Sequence, residues 1–418
     1  MNYHVIFSML VCITAISAFI NDRYFKLPKT IALTIISVSI SIIITQLAKV
    51  SPNVIYPIHK LLSSVNFRNT VLDVMLGYLL FAGSLHINSV ELKKNFLVII
   101  YLASVGVITS TVLTGVILWH ITKFIHFNLS FADCLIFGAI ISPTDPIAVM
   151  SIFRNAKNIP KQIKAKITGE ALFNDAVSIL LLTILIRVFY TDGPNSFLVS
   201  HITFTLVQDI IGGIAWGGFV GYVSSFFLSR TDDNEAIILL TVAAASAGYI
   251  ISGYLHVSGP ITMVVAGLLI GEYSKKQRFS SKTSYSLNQF WELIDGILNA
   301  FLFVLIGLEL LTIDITFSTI VIGFIGLFII FISRFISILI PSSIRLIYKT
   351  NNNKPNWKEN FLLCWGGIRG AISIALALAT PNLPTYLIAI TYLVVIFSIL
   401  IQGSTLKIII NKFYSKTS

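Results

Sequence analysis

Long apolar runs separated by short clusters of charged and turn-forming residues dominate the 418-residue chain. Several runs reach 18 or more residues with almost no charge, the length needed to cross about 30 Å of hydrocarbon as a helix. Reading the runs between turn and charge clusters predicts about thirteen helices. Their approximate limits are 3–20, 30–48, 71–87, 96–119, 130–151, 165–188, 202–229, 235–253, 259–272, 290–308, 313–340, 360–380 and 385–405. The 259–272 run is short for a span, and an interfacial helix fits the 50–70 stretch. No loop is long enough for a soluble domain, and a short polar tail, 406–418, follows the last run.

Composition supports this reading. Hydrophobic residues make up 56% of the chain and charged residues 11%, against roughly 25% charged in soluble proteins. Too little polar surface is available to cover a soluble body of this size, so the expected class is an all-α polytopic membrane protein. The opening "MNYHVIFSML" carries no Lys or Arg and no small-x-small cleavage site precedes "NDRYFK", so the first span is expected to be retained. Cys12, Cys134 and Cys364 are scattered through apolar runs and match no metal or redox spacing.

The net charge of +11 changes meaning once the spans are placed. With the N-terminus outside, only Lys49, Lys60, Arg68, Lys123 and Arg187 fall on the outer side, and Arg334 and Arg369 lie inside spans; the other 22 of the 29 basic residues face the cytoplasm. Such a bias is what the positive-inside rule predicts. The expected topology is N-out and C-in, and no nucleic-acid partner is implied.

Two runs are interrupted. "GAIISPTDPIAV" in the fifth span holds Pro143 and Pro146 around Thr144 and Asp145, and "CWGGIRGAIS" in the twelfth holds Gly366, Gly367 and Gly370 around Arg369. Proline removes a backbone donor and breaks the helical ladder, and broken backbone at membrane depth survives only where protein or a water-filled cavity satisfies it. Helices five and twelve correspond if helices 1–6 and 8–13 are two copies of a six-helix unit. An offset of seven helices makes the copies inverted, with the broken helices crossed near the midplane. Interrupted segments at matching places in two halves point to a transporter's binding site.

The charged residues within spans supply the chemistry. "TGEALFNDAVSILLLTIL" in the sixth span carries Glu170, Asn174 and Asp175. At 3.6 residues per turn, Glu170 and Asn174 are about 40° apart and Asp175 about 140° from Glu170, so the two carboxylates need not share a partner. Arg369 is expected to pair with Glu170, because an arginine inside a span needs a counter-charge, a carbonyl cage or water. Asp175 is the expected carrier of the transported ion or proton: a carboxylate in a cleft of low dielectric is neutralised by a proton or by a small cation. Thr144, Asp145 and Asn174 add hard oxygen ligands suited to Na⁺ or Li⁺. Glu292 and Asp295, three apart on one helical face, are placed to line a cytoplasmic funnel for cations.

"ISPTDPIAV", "GEALFNDAVS" and "WGGIRGAISIALAL" together resemble the prokaryotic sodium/proton antiporters of the monovalent cation/proton antiporter-1 family, relatives of animal sodium/hydrogen exchangers. The resemblance covers the membrane chain from the first span to the last. It implies a homodimer with a scaffold of helices 1–3 and 7–10 (about 1–90 and 202–308). It also implies a mobile core of helices 4–6 and 11–13 (about 96–188 and 313–405) that moves as an elevator. Carried onto this chain, it makes Asp175 the essential aspartate and Thr144 a ligand of Na⁺ or Li⁺ beside Asp145. Glu170 becomes the buried glutamate and Arg369 the family's arginine. Asn174–Asp175, in place of two aspartates, resembles the electroneutral branch, which exchanges one Na⁺ for one H⁺. Ala171 and Ala176 depart from the commoner "GESLFNDG" without removing a charge.

The expected activity is therefore Na⁺ or Li⁺ antiport against H⁺ across a prokaryotic cell membrane, with no enzyme chemistry and no cofactor, and with membrane lipid as the surroundings. A K⁺/H⁺ antiporter of the same fold is the nearest alternative, since oxygen ligands alone do not set ion size. A cation channel is the alternative of another class, although no repeated filter element is visible. An intramembrane hydrolase would need two paired catalytic carboxylates or a nucleophile–base set; Asp145 and Asp175 mimic the first, but the arginine and the absence of a substrate-entry motif speak against it.

Overall fold

The computed structural model describes residues 3–50, 67, 70–87, 89–125, 127, 129–145, 149–150, 153, 159–191, 199–276, 279–313, 316–347 and 357–414, which form helices joined by turns and short extended links. In order these are α1 (Tyr3–Ile20), α2 (Lys29–Val50), α3 (Leu76–His86), α4 (Ser89–Tyr101), α5 (Val107–Phe124), α6 (Phe131–Ile141), α7 (Lys161–Ile186) and α8 (Val199–Leu228). There follow α9 (Asn234–Tyr254), α10 (Gly259–Lys275), α11 (Ser281–Glu309), α12 (Phe317–Ile347), α13 (Trp357–Trp365), α14 (Ala371–Ala379), α15 (Thr385–Phe397) and α16 (Gly403–Tyr414). Wider turns at Leu102–Gly106 and Ser398–Gln402 join α4 to α5 and α15 to α16 into continuous rods. Among the described residues, eight helices are long and apolar enough to cross a membrane. The chain is an all-α polytopic membrane protein.

Among the described residues the expected runs fall largely on helix, with differences at the edges and with two runs interrupted within, at 142–145 and at 367–370. The 259–272 run is full helix as α10, started by the Ser258 hydroxyl, which accepts from the Ile261 N–H at 3.4 Å, and by Pro260 in the first turn. The expected tail 406–418 is helical as far as Tyr414, because Leu406 and Ile410 keep a helical spacing and are buried. Phe413 there meets Trp357 edge-on at 5.2 Å. The expected interfacial helix at 50–70 and Pro146 lie outside the described residues, apart from the edges of that stretch.

Two apolar clusters hold the helices together. One gathers α2, α6, the second half of α11 and α12 to α16. The other gathers α3, α8, α9, α10 and the first half of α11. Lipid removes most of the hydrophobic drive between helices, so close packing of small residues must supply the association. At the α8–α10 crossing, a Cβ on Gly217 would lie 2.5 Å from the Thr262 carbonyl oxygen, so only glycine permits this approach. Trp291 of α11 is fully buried, packs at 4.7 Å on Phe81 of α3, and donates to the Thr241 hydroxyl of α9 at 3.0 Å. In the loop after α8, Asp232 accepts from the hydroxyls of Ser280 and Thr283, which holds its carboxyl below the ordinary carboxylate range. Helices α7 and α11 contribute to both clusters, and they carry Asp175 and Asp295.

Candidate functional site

Helix α6 ends at Ile141, and residues 142–145 run on without helical structure. Pro143 cannot donate to the ladder, and the freed groups are met one by one. Ser142 turns its hydroxyl back to the Gly138 carbonyl at 2.6 Å and contacts the Thr111 hydroxyl of α5 at 2.9 Å. The second break, 367–370, separates α13 from α14. The two breaks touch main chain to main chain: the Asp145 N–H donates to the Ile368 carbonyl at 2.7 Å.

The charges at the crossing are arranged against helix ends. The Arg369 guanidinium donates from Nη1 to the carbonyls of Ser142 at 2.5 Å and Pro143 at 3.2 Å, just past the negative end of α6. Its own N–H donates to the Ser398 hydroxyl at 2.9 Å. Asp145 packs against Gly370 at the positive end of α14, so closely that a Cβ on Gly370 would lie 2.6 Å from Oδ2 and from Cβ of Asp145. Broken-helix dipoles therefore meet opposite charges on both sides.

Helix α7 passes this crossing with Glu170, Asn174 and Asp175 all buried. Asn174 donates from Nδ2 to the Thr144 hydroxyl at 2.7 Å, and its Oδ1 accepts from the Thr144 N–H at 3.4 Å. The amide thus replaces the helical partners that Thr144 lost at the break. One oxygen of Asp175 is buried and has no hydrogen-bond partner among the described residues. Asp145, Asp175 and Thr144 line one cavity of about 50 Å³ with Asp295 of α11 and apolar side chains such as Leu172 and Leu302. That space has room for a few water molecules or a small, partly hydrated cation.

The expected Glu170–Arg369 pair is corrected. Glu170 forms its ion pair with Arg334 of α12, both side chains being buried. Arg334 reaches from a neighbouring helix and also donates from Nη2 to the Leu363 carbonyl at 3.3 Å, while Arg369 spends its donors on the α6 carbonyls. A Cβ on Gly367 would lie 2.9 Å from Arg334 Nε, so the bareness of this break also admits the arginine. One helical turn before Glu170, the buried Lys166 pairs with Glu359 of α13.

Of the expected funnel, Asp295 is half-buried and lines the same cavity as Asp175, held by the Asn299 amide at 2.9 Å. Glu292 is exposed and is not among the residues lining that cavity. Arg334 is the residue of this buried charge group that sequence reasoning passed over. Its signal was there: a lone arginine within an apolar run is costly and demands a partner.

Comparison with known proteins places these features. Residues 6–412 match the family model described as sodium/hydrogen exchanger, transmembrane. The chain is 33% identical to the Na⁺/H⁺ antiporter NhaP of Pseudomonas aeruginosa, over 97% of this chain and 96% of that protein. It is 31% identical to the Na⁺/H⁺ antiporter ApNhaP of Aphanothece halophytica, over 94% of this chain and 71% of the relative. The solved structure of the sodium proton antiporter MjNhaP1 from Methanocaldococcus jannaschii at pH 8 superposes over the whole of both chains with a TM-score of 0.72 at 17% identity, a likeness of fold.

Proposed function

The chain belongs to the sodium/hydrogen exchanger family, and from that premise we propose that it is a secondary active antiporter exchanging Na⁺ or Li⁺ for H⁺, with Asp175 as the shared site. The observation that carries the reading is the buried Asp175 carboxylate beside Thr144 and Asp145, with both nearby arginines directed elsewhere: Arg334 to Glu170, Arg369 to the carbonyls of 142 and 143. A buried carboxylate without a fixed counter-charge needs a mobile one. Either a proton or a small cation supplies it, so the two compete for one place.

Charge counting supports one-for-one exchange. At the two breaks and the facing turn of α7, Glu170, Asp145 and Asp175 stand against Arg334 and Arg369, which leaves one negative charge when all are ionised; Lys166 is matched by Glu359, and Asp295 of α11 stands outside this set. A single H⁺ or a single Na⁺ neutralises it, and the loaded site then crosses the membrane at lower electrostatic cost. In this reading Thr144 and Asp145 offer oxygens to the cation and Asn174 fixes Thr144. Asp295, at the edge of the cavity, draws cations toward it, with the exposed Glu292 further out. The wider proposal keeps thirteen spans in two inverted six-helix repeats, a homodimer built on the scaffold, a core moving as an elevator, and an N-out, C-in orientation in a prokaryotic cell membrane.

The test uses purified protein in tight liposomes with an internal pH dye and an acid interior. Na⁺, Li⁺, K⁺ and choline are added in turn, with the voltage set by potassium and valinomycin during the Na⁺ runs. Voltage-independent alkalinisation by Na⁺ and Li⁺, lost in Asp175→Asn, is the expected result. A response to K⁺ alone would change the cargo, and no response from folded protein would overturn antiport.

A further inference from the structure

A second and larger cavity, of about 300 Å³, lies next to the ion cavity. Gly83 of α3 lines both, and a Cβ placed there would lie 3.6 Å from Cδ1 of Leu172, which also faces the ion cavity. Gly83, the residue the two spaces share, thus marks the neck between them, with Leu172 against it on the ion-cavity side. Beyond the neck the wall is built from the last turn of α3, the first turn of α4 and the first two turns of α7, including Glu91, Lys161, Lys164 and Thr168. Along α7 the path is short: Thr168 precedes Asp175 by two turns, about 10 Å, and Lys164 by about 16 Å.

The charge of this wall runs against its position. Lys161 and Lys164 share this lining with Glu91, and the Glu91 carboxylate is held by Lys94 at 3.3 Å. Outside the lining, Lys275 donates to the carbonyl of the lining residue Ile87, and Glu272 is bracketed by Lys93 at 2.6 Å and Lys276 at 2.8 Å. Among these described residues six lysines stand against two glutamates. A passage of one charge sign concentrates the opposite ion and depletes its own, so a positive wall lowers the Na⁺ available at the neck.

We infer that this basic cavity is a second cytoplasmic approach to the Asp175 site, beside the one that Asp295 lines, and that Lys161 and Lys164 hold the apparent Na⁺ affinity through it below what the buried oxygens alone would give. The inference rests on the antiport reading above, and its cytoplasmic label rests on the distribution of basic residues along the chain. Such a vestibule keeps the exchanger slow at low internal Na⁺ and releases it as Na⁺ accumulates. The lysines act through the field they set and touch no transported ion.

The experiment compares the whole chain and its Lys161→Gln/Lys164→Gln variant in everted and right-side-out membrane vesicles, at one fixed pH so that the state of His86 on the same cavity stays constant. With ionic strength held at about 0.01 M, where charges are felt over about 30 Å, the double variant lowers the KM for Na⁺ in everted vesicles about fivefold. The shift shrinks below about twofold in about 1 M choline chloride, where charges are screened within about 3 Å. Turnover and the KM in right-side-out vesicles stay unchanged, and Lys161→Glu/Lys164→Glu lowers the KM further. An unchanged KM at low ionic strength overturns the inference, as does a shift that survives high salt, since packing would then be responsible. A shift confined to right-side-out vesicles overturns the cytoplasmic assignment. Absence of exchange in the unsubstituted chain sinks the antiport reading instead, and is recognised before any variant is compared.

Discussion

Glu170 on α7 and Arg334 on α12 form a buried ion pair, and Arg369, although close by in the crossing, gives its guanidinium to the carbonyls of Ser142 and Pro143. The two arginines therefore do different work. Arg334 compensates a carboxylate, whereas Arg369 compensates the exposed end of a broken helix.

The division of labour sets a stability order. Arg334→Ala leaves Glu170 buried without its partner, a loss of about 3–5 kcal/mol, and is expected to cut folded yield sharply. Arg369→Ala frees carbonyls that water in the cavity can partly meet, and costs less. A double-mutant cycle read by thermal unfolding in detergent should give Glu170 a larger coupling to Arg334 than to Arg369. The reverse order would restore Arg369 as the partner of Glu170.

Asp175→Asn separates function from folding. The Asp175 oxygen that is buried without a hydrogen-bond partner among the described residues is a cost to the folded state that a neutral amide reduces. The variant is expected to melt at the same or a higher temperature and to lose exchange altogether. Coupled Na⁺/H⁺ exchange persisting in this variant would remove Asp175 from the central role.

The Asn174–Thr144 contact predicts a graded pair of variants. Thr144→Val takes away the acceptor of the Asn174 amide and one hard oxygen from the cavity, at a cost of about 1–3 kcal/mol for the stranded donor. Apparent Na⁺ affinity is expected to fall by about tenfold, the equivalent of 1.4 kcal/mol, and Thr144→Ser to recover most of it. Equal affinity in Val and Ser variants would mean that the hydroxyl contributes nothing to binding.

Gly370→Ala tests how tightly the breaks interlock. The added methyl would meet Asp145 at 2.6 Å, so the aspartate must move or the breaks must separate. Exchange should fall about a hundredfold, the scale of a 1 Å misplacement at a reacting centre. Gly218→Ala is the control, because a Cβ there meets nothing within 4 Å, and alanine in a helix is worth up to about 1 kcal/mol over glycine. Similar losses in both variants would show that the crossing has no special intolerance.

Much of this was legible in the sequence because the membrane makes apolar length a strong signal, and Pro143 with the Gly366–Gly367–Gly370 group marked where two helices fail. Partner choice was not legible. Glu170 and Arg369 are both charges inside spans, but their order along the chain says nothing about which neighbouring helix brings a guanidinium within reach, and α12 did. Glu292 and Asp295 share a helical stripe, yet they differ by about 60° in direction. Midway along α11 that difference leaves one exposed and puts the other on the ion cavity.

Competition at one carboxylate makes a sharp prediction about pH. If Na⁺ binds only when Asp175 has lost its proton, each proton bound excludes one cation, and the apparent KM for Na⁺ must rise as pH falls. Once the site is mostly protonated, the rise approaches about tenfold per pH unit, because the fraction of free carboxylate falls tenfold per unit. At high pH the KM levels off at its intrinsic value, and turnover then drops because too few sites reload with a proton for the return step. Initial rates in liposomes from pH 6 to 9, over a full range of Na⁺ at each pH, separate these limbs. A KM that stays flat while only the maximal rate changes would show that proton and cation occupy different groups. Asp145 and Asp295, the other carboxylates on the cavity, would then be the first places to look for the second one.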